Sequence, residues 1–186
     1  RERPAIFSQA QAEQLARDGA VLVEQLDGEE PLLLMACGSY QLAEMQRAAV
    51  RLRTAGLAYR LVYVQEPGRF RAPRDRWEAQ ALASPEVVAQ LFAPALRRRV
   101  LLTHMRPEVA RGHLWPLLPE ASNTEVLGYR NRGGTLDEAG MQFANNATWA
   151  HILDACAQLL QVPLSGVLSA TEITAVKGEG DPRVLR

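Results

Sequence analysis

Leu32 to Cys37 is an unbroken apolar run, set between the turn Asp27-Gly28-Glu29-Glu30-Pro31 and the break Gly38-Ser39. A strand with one solvated face alternates apolar and polar positions. An uninterrupted run predicts a strand covered on both faces, as in a parallel sheet. Leu61-Val62-Tyr63-Val64, Val100-Leu101-Leu102 and Glu125-Val126-Leu127 predict three more strands, and Val21-Leu22-Val23 a short one near the start.

Between these runs the apolar period lengthens to that of a helix. Ser8 caps a predicted helix to about Asp18, with Ala12, Leu15 and Ala16 on one face. Leu42, Met45, Ala49 and Leu52 mark a second helix that ends at Gly56. Ser84-Pro85-Glu86 starts another with Pro at its first position, and a short one begins near Pro107. A last long helix is predicted from about Met141 or Asn145 to Leu160. Ser169-Ala170-Thr171-Glu172 has the form of a capping box in a tail that ends polar and Gly-rich. Strands alternating with helices imply right-handed crossovers. The expected fold is α/β, three-layered, with a mostly parallel sheet of about five strands and helices on both faces. Residues 1–186 read as one domain: a lead-in helix and edge strand over 1–30, a core over 31–161 and a tail over 162–186.

Composition narrows the function. With 47% hydrophobic residues in 186, the chain can bury a core without disulfides or metals. Lys plus Arg and Asp plus Glu are both 21, so the basic excess that releases counterions from nucleic acid is missing, and no nucleic-acid partner is expected. No apolar run is long enough to span a bilayer, so no membrane partner is expected. Cys37 and Cys156 show no disulfide or zinc spacing and read as buried thiols in a reducing cytoplasm. Arg1-Glu2-Arg3-Pro4 resembles no secretory signal, and without an initiating Met the chain is expected to begin inside a longer protein.

The order of these segments carries a resemblance. Leu32-Leu33-Leu34-Met35-Ala36-Cys37-Gly38-Ser39, followed by Ala48 and Ala49 in a helix, resembles the "LIATGSE … AA" opening of the transketolase carboxy-terminal domain. The stretch from Ala55 to Val64 is similar to that family's next helix end and strand. His104 after a strand resembles the phosphoketolase "FAFHG" segment, and Gly128-Tyr129, Gly133, Met141, Asn145 and His151 fall in the spacing of "GYxxxG…M…N…H". Phosphoketolases read Pro-Phe-Asp where this chain has Glu138-Ala139-Gly140, and Arg where it has Trp149. A transketolase-like relative acting on sugar phosphates fits these departures better.

The resemblance implies a division of labour. Thiamine diphosphate and Mg²⁺ would sit in upstream domains of the same chain, and this domain would support a homodimer of the whole enzyme. No cofactor is expected in this chain. Consistent with that, it has no Gly-Asp-Gly with a distant Asn, no GxGxxG and no P-loop.

Several residues stand out nonetheless. Gly38 and Ser39, between a buried strand and a helix start, are a candidate anion site, with a tight turn as the plain alternative. Cys37 with His104 as its base would form a nucleophilic elbow, and a buried inert thiol is the competing reading. His104 ends a strand, where groups of α/β folds face an active site; His151, in a helix near Trp149 and Leu153, is a second active-site-facing candidate, with a structural, hydrogen-bonded His as the competing reading. Arg69, Arg71, Arg74 and Arg76, and the run Arg97-Arg98-Arg99, suggest either a sugar-phosphate or domain contact or a solvated, ion-paired face. The loop Gly128 to Thr135 is the most informative stretch. Tyr129, Arg132 and Thr135, with Asn145, are candidate interface residues, since Tyr and Arg anchor interfaces and paired glycines let backbones approach. No catalytic residue and no metal ligand is assigned. The expected function is a non-catalytic assembly domain of a thiamine-diphosphate enzyme acting on sugar phosphates such as xylulose 5-phosphate. A stand-alone small-molecule or anion-binding module is the alternative.

Overall fold

In a computed structural model that describes residues 7–118, 120–132 and 134–186, the apolar runs form one five-stranded sheet. The opening Arg1-Glu2-Arg3-Pro4 and Gly133 lie outside the described residues. In chain order the elements are α1 (Gln9–Asp18), β1 (Ala20–Leu26), β2 (Leu32–Cys37), α2 (Ser39–Thr54), β3 (Tyr59–Val64), α3 (Arg76–Ala79), α4 (Pro85–Leu91), β4 (Arg99–Thr103), α5 (Pro107–His113), β5 (Thr124–Leu127), α6 (Glu138–Ala144), α7 (Trp149–Leu160) and α8 (Ala170–Val176). The strand order is β1-β3-β2-β4-β5, with only β1 antiparallel to its neighbour. The expected α/β architecture, mostly parallel and covered on both faces, is the one observed.

β2 is buried along its whole length because successive side chains enter opposite layers. Leu32, Leu34 and Ala36 meet Leu42, Met45 and Leu52 of α2 and Ile152 and Leu153 of α7. Leu33, Met35 and Cys37 meet Leu91 of α4 and Ala110 of α5 on the other side. Each fully buried Leu contributes about 1.5–3 kcal/mol, so this alternation alone commits the register.

Three elements depart from the sequence expectation. In α1 only Leu15 of the expected face is buried, while Ala12 and Ala16 are exposed. The helix is held by Gln11, whose amide donates to the carbonyls of Leu22 and Val23 on β1, both at 3.0 Å. Those carbonyls lie where the β1–β3 register shifts, between Leu22 and Glu24. The long helix expected up to Leu160 is instead α6 and α7, broken where Asn146 takes φ 57. The amino end of α7 is fixed from elsewhere, as Trp149 N–H donates to Glu44 of α2 at 2.6 Å. The polar tail also returns to the core. Leu185 is buried, and its carbonyl accepts from the Trp149 indole at 2.8 Å and from Arg47 at 3.1 Å.

Candidate functional site

After β2 the chain turns into α2 on one face of the sheet; after the adjacent β4 it turns into α5 on the other face. Loops that diverge in this way open a crevice at the carboxy ends of the two strands, the usual ligand position in open α/β sheets. Gly38 makes the first turn with φ +117, a region that favours glycine. A Cβ there would lie 2.2 Å from Gln41 Oε1 and 3.3 Å from His104 Nδ1. The Gln41 carboxamide and the His104 ring thus pack beside the turn expected to hold an anion. Gln41 and His104, rather than Gly38 and Ser39, line the open space beside it.

His104 is oriented by the strand next to its own. Its backbone N–H (3.3 Å) and its Nδ1 (3.0 Å) both approach the Cys37 carbonyl. A carbonyl only accepts, so Nδ1 is the donor of this pair. This geometry also answers the nucleophile reading. His104 meets the main chain of Cys37 rather than its sulfur, and burial pushes the Cys37 thiol up, opposed in part by a hydrogen bond with Thr103. A thiol so placed is poorly ionised and inert. Cys156, fully enclosed, is pushed up to about 12.

The cleft holds about 160 Å³. Gln41 and Gln142 line opposite elements of it, α2 and α6, with His104 and Tyr129 from the loops after β4 and β5. No Asp, Glu, Lys or Arg is among its lining residues. Gln41, whose part in the site sequence reasoning missed, is only 9% exposed, but its carboxamide atoms keep contact with the open space, since among the described residues only the Thr124 hydroxyl is buried without a partner. Its only sequence signal is a place three residues after Gly38, at the start of a helix.

The loop after β5 leaves through a tight gap. A Cβ on Gly128 would meet Met105 O at 2.4 Å and Thr103 O at 3.1 Å, so only glycine fits. Tyr129 N–H then donates to Met105 O at 3.0 Å, and its phenol to Asn131 at 2.8 Å. Tyr129, Arg132 and Thr135 are exposed. Asn145, expected at the interface with them, is buried. Its Oδ1 accepts from Arg130 N–H (2.7 Å) and Arg132 N–H (3.3 Å), and its Nδ2 donates to Arg132 O (3.1 Å) and Met141 O (2.8 Å). Asn145 thus shapes the loop that displays the others.

The remaining candidates are local. His151 does not line the cleft: it is buried, 2.8 Å from the Thr148 hydroxyl, and burial pushes its imidazole down to about 4. The Arg97-Arg98-Arg99 run is not a patch. Arg98 pairs with Glu30, while Arg99 is buried and donates to the carbonyls of Leu96, Leu117, Phe92 and Ala93. In the basic loop, Arg71 and Arg74 both hold Glu78, whose carboxyl they keep well below the usual range, and Arg76 stacks on exposed Trp77. Among the described residues no group of three or more His, Cys, Asp or Glu could hold a metal ion. No helix among the described residues is long and apolar enough to cross a membrane.

No family model matches this chain, and no curated protein does. Solved structures do. A transketolase from Leishmania mexicana aligns over 84% of this chain and 20% of its own, at 14% identity and a TM-score of 0.55. A split-gene transketolase, described as an inactive β4 tetramer, aligns over 86% of this chain and 47% of its own, at 16% identity and a TM-score of 0.56. The fold is that of part of a transketolase. The chain spans about a fifth of the first transketolase and about half of the second. At these identities the likeness is one of architecture, and the roles of Gln41, His104 and Tyr129 rest on their own geometry.

Proposed function

We propose that this chain is an assembly domain, without catalytic residues of its own, of a thiamine-diphosphate-dependent enzyme of the transketolase or phosphoketolase kind. The observation that carries the reading is the fold likeness to a transketolase chain that is, by its description, inactive as a β4 tetramer; it extends over 86% of this chain. In such an enzyme thiamine diphosphate, held with Mg²⁺, supplies the carbanion chemistry, and protein binds and orients it. This chain would contribute support. Its exposed loop, with Tyr129, Arg132 and Thr135 displayed by Asn145, offers a surface for upstream thiamine-diphosphate-binding domains or a second subunit. The substrates would be sugar phosphates such as xylulose 5-phosphate, the whole enzyme a homodimer, and the compartment the cytoplasm, where two buried free thiols persist.

Titration calorimetry tests the reading. The chain alone should give no saturable heat with thiamine diphosphate and Mg²⁺ and should not consume xylulose 5-phosphate. Joined to its thiamine-diphosphate-binding domains, it should be needed for a stable, active assembly. Micromolar cofactor binding by the chain alone, or full activity without it, overturns the proposal.

A further inference from the structure

Two of the three Trp side chains stand in water: Trp77 is 66% exposed and Trp115 59%, while Trp149 is buried. Both exposed rings adjoin one groove. Trp115, with Arg71, Ala72, Arg74, Gly112 and His113, lines an open space of about 370 Å³ between the loop after β3 and the end of α5. Arg71 and Arg74 hold Glu78 on α3, and Trp77 is the residue before it. Arg76, on the same short helix, stacks on Trp77 with its guanidinium carbon 4.7 Å from the ring centroid.

The groove is short of negative charge. Glu78 is shared between two guanidinium groups, and four N–H donors already fill its carboxylate: Arg71 Nη1, the Arg74 main chain, Arg74 Nε and Arg74 Nη2. Arg71 Nη2 and Arg74 Nη1 make no hydrogen bond among the described residues. Asp75 is committed to the main chain of α3, accepting from Trp77 and Glu78 N–H at 2.9 Å each. Over residues 69–78, four Arg against two carboxylates leave a net charge of +2, in a chain that is neutral as a whole.

Charge and ring surface together select the occupant. A small anion such as inorganic phosphate meets the guanidinium groups but leaves both indoles wet. A nucleic acid stacks on aromatic rings, yet it is held through a larger basic excess than this surface carries. A peptide segment with carboxylates beside apolar side chains answers both features. Its carboxylates take the free guanidinium N–H groups, and its apolar side chains cover the indoles. Trp and Arg are also the side chains that carry most binding energy at protein interfaces. We propose that the groove between Arg71, Arg74 and Trp115, with Trp77 adjoining it, docks an acidic segment of a partner protein that also bears apolar side chains. This proposal is independent of the assembly function and survives its failure.

An NMR titration of the full 186-residue chain with the peptide acetyl-Glu-Leu-Glu-Glu-Leu-Glu-amide tests it, read on the three indole N–H signals. The Trp77 and Trp115 signals should shift and saturate. The Trp149 signal should stay in place, because that indole is buried and donates to the Leu185 carbonyl. Added salt should weaken binding. Arg74→Ala and Trp115→Ala should each weaken it about fivefold or more. Melting should stay close to that of the parent, since the Arg74 side chain is 82% exposed and Glu78 keeps Arg71. The proposal is overturned if the acidic peptide gives no saturable shift at Trp77 or Trp115, or if neither substitution weakens binding. It is also overturned if the same peptide with every Glu replaced by Gln binds equally well, which would leave the arginines no part in it. Tighter saturation of the same signals by inorganic phosphate or an oligouridylate overturns it as well, making this a surface for phosphate groups instead.

Discussion

Asn145 and His151 differ by six positions, and both stood out for the same reason: they fall in the spacing of the phosphoketolase-like motif. The structure makes each a support of a different kind. Asn145 pairs with the main chain of Arg130 and Arg132 from its side chain, so Asn145→Ala should destabilise the chain by about 1–3 kcal/mol. Amide exchange should rise at Arg130 and Arg132, whose N–H groups it now accepts. Unchanged exchange there would mean that the loop holds its own shape. His151 is buried neutral, with its folded value near 4 against an ordinary 6.5. Between those values the unfolded chain binds a proton that the folded chain refuses, so stability falls as pH drops from about 6.5 toward 4. The loss should approach roughly 3 kcal/mol. His151→Gln should flatten that part of the profile relative to the parent, measured by denaturant unfolding at pH 7 and 4.5. The sequence placed both residues on a helix, but whether a polar side chain turns toward solvent, a cleft or a backbone depends on the neighbour it meets. Gln41 passed unnoticed for the converse reason, because a Gln in the first turn of a helix is ordinary until its surroundings are known.

At the scale of elements, legibility followed the strength of the period. β2 was bounded to the residue because both its ends are marked by turns and every position is apolar. The cap at Ser8 and the capping box at Ser169 are formed as the sequence suggested, and Ser8 completes a box of its own with Gln11. The break between α6 and α7 was missed because no Pro or Gly marks it. It is made by Asn146 in the left-handed region and by Glu44, a cap supplied from more than a hundred residues away. Gly128 shows the same limit from the other side. Its position after a strand was plain, but the reason for glycine is the approach of the Met105 and Thr103 carbonyls from the neighbouring strand end. Gly128→Ala would press a methyl into main chain that cannot rotate away, and should cost about 1–3 kcal/mol. The measured loss should fall on β5 and the loop after it, with exchange at Tyr129 rising first. A fully tolerated Ala would show that β4 and β5 can separate without cost.

For the whole molecule, the question is what the surface beyond the sheet's carboxy end is for. Many charges among the described residues are engaged locally: Arg99 serves buried carbonyls, and Arg71 and Arg74 share Glu78. Arg132, like its loop neighbour Arg130, is not. It is exposed, on a loop held in place by Asn145 and Gly128, and its side chain makes no hydrogen bond or ion pair among the described residues. A loop supported at this cost from within, and displaying an unused guanidinium beside Tyr129, suits contact with another domain or subunit. Because the Arg132 side chain makes no hydrogen bond or ion pair among the described residues, Arg132→Ala should leave the isolated chain within about 0.5 kcal/mol of its parent. In the complete enzyme the same change should weaken association, read as a concentration-dependent shift from the assembled toward the dissociated form in analytical ultracentrifugation, and activity should fall with it. Equal destabilisation of the isolated chain and of the assembly would reduce the loop to a local folding element. Unchanged association in the complete enzyme would place the contact surface elsewhere, with exposed Trp77 and Trp115 as the next residues to substitute.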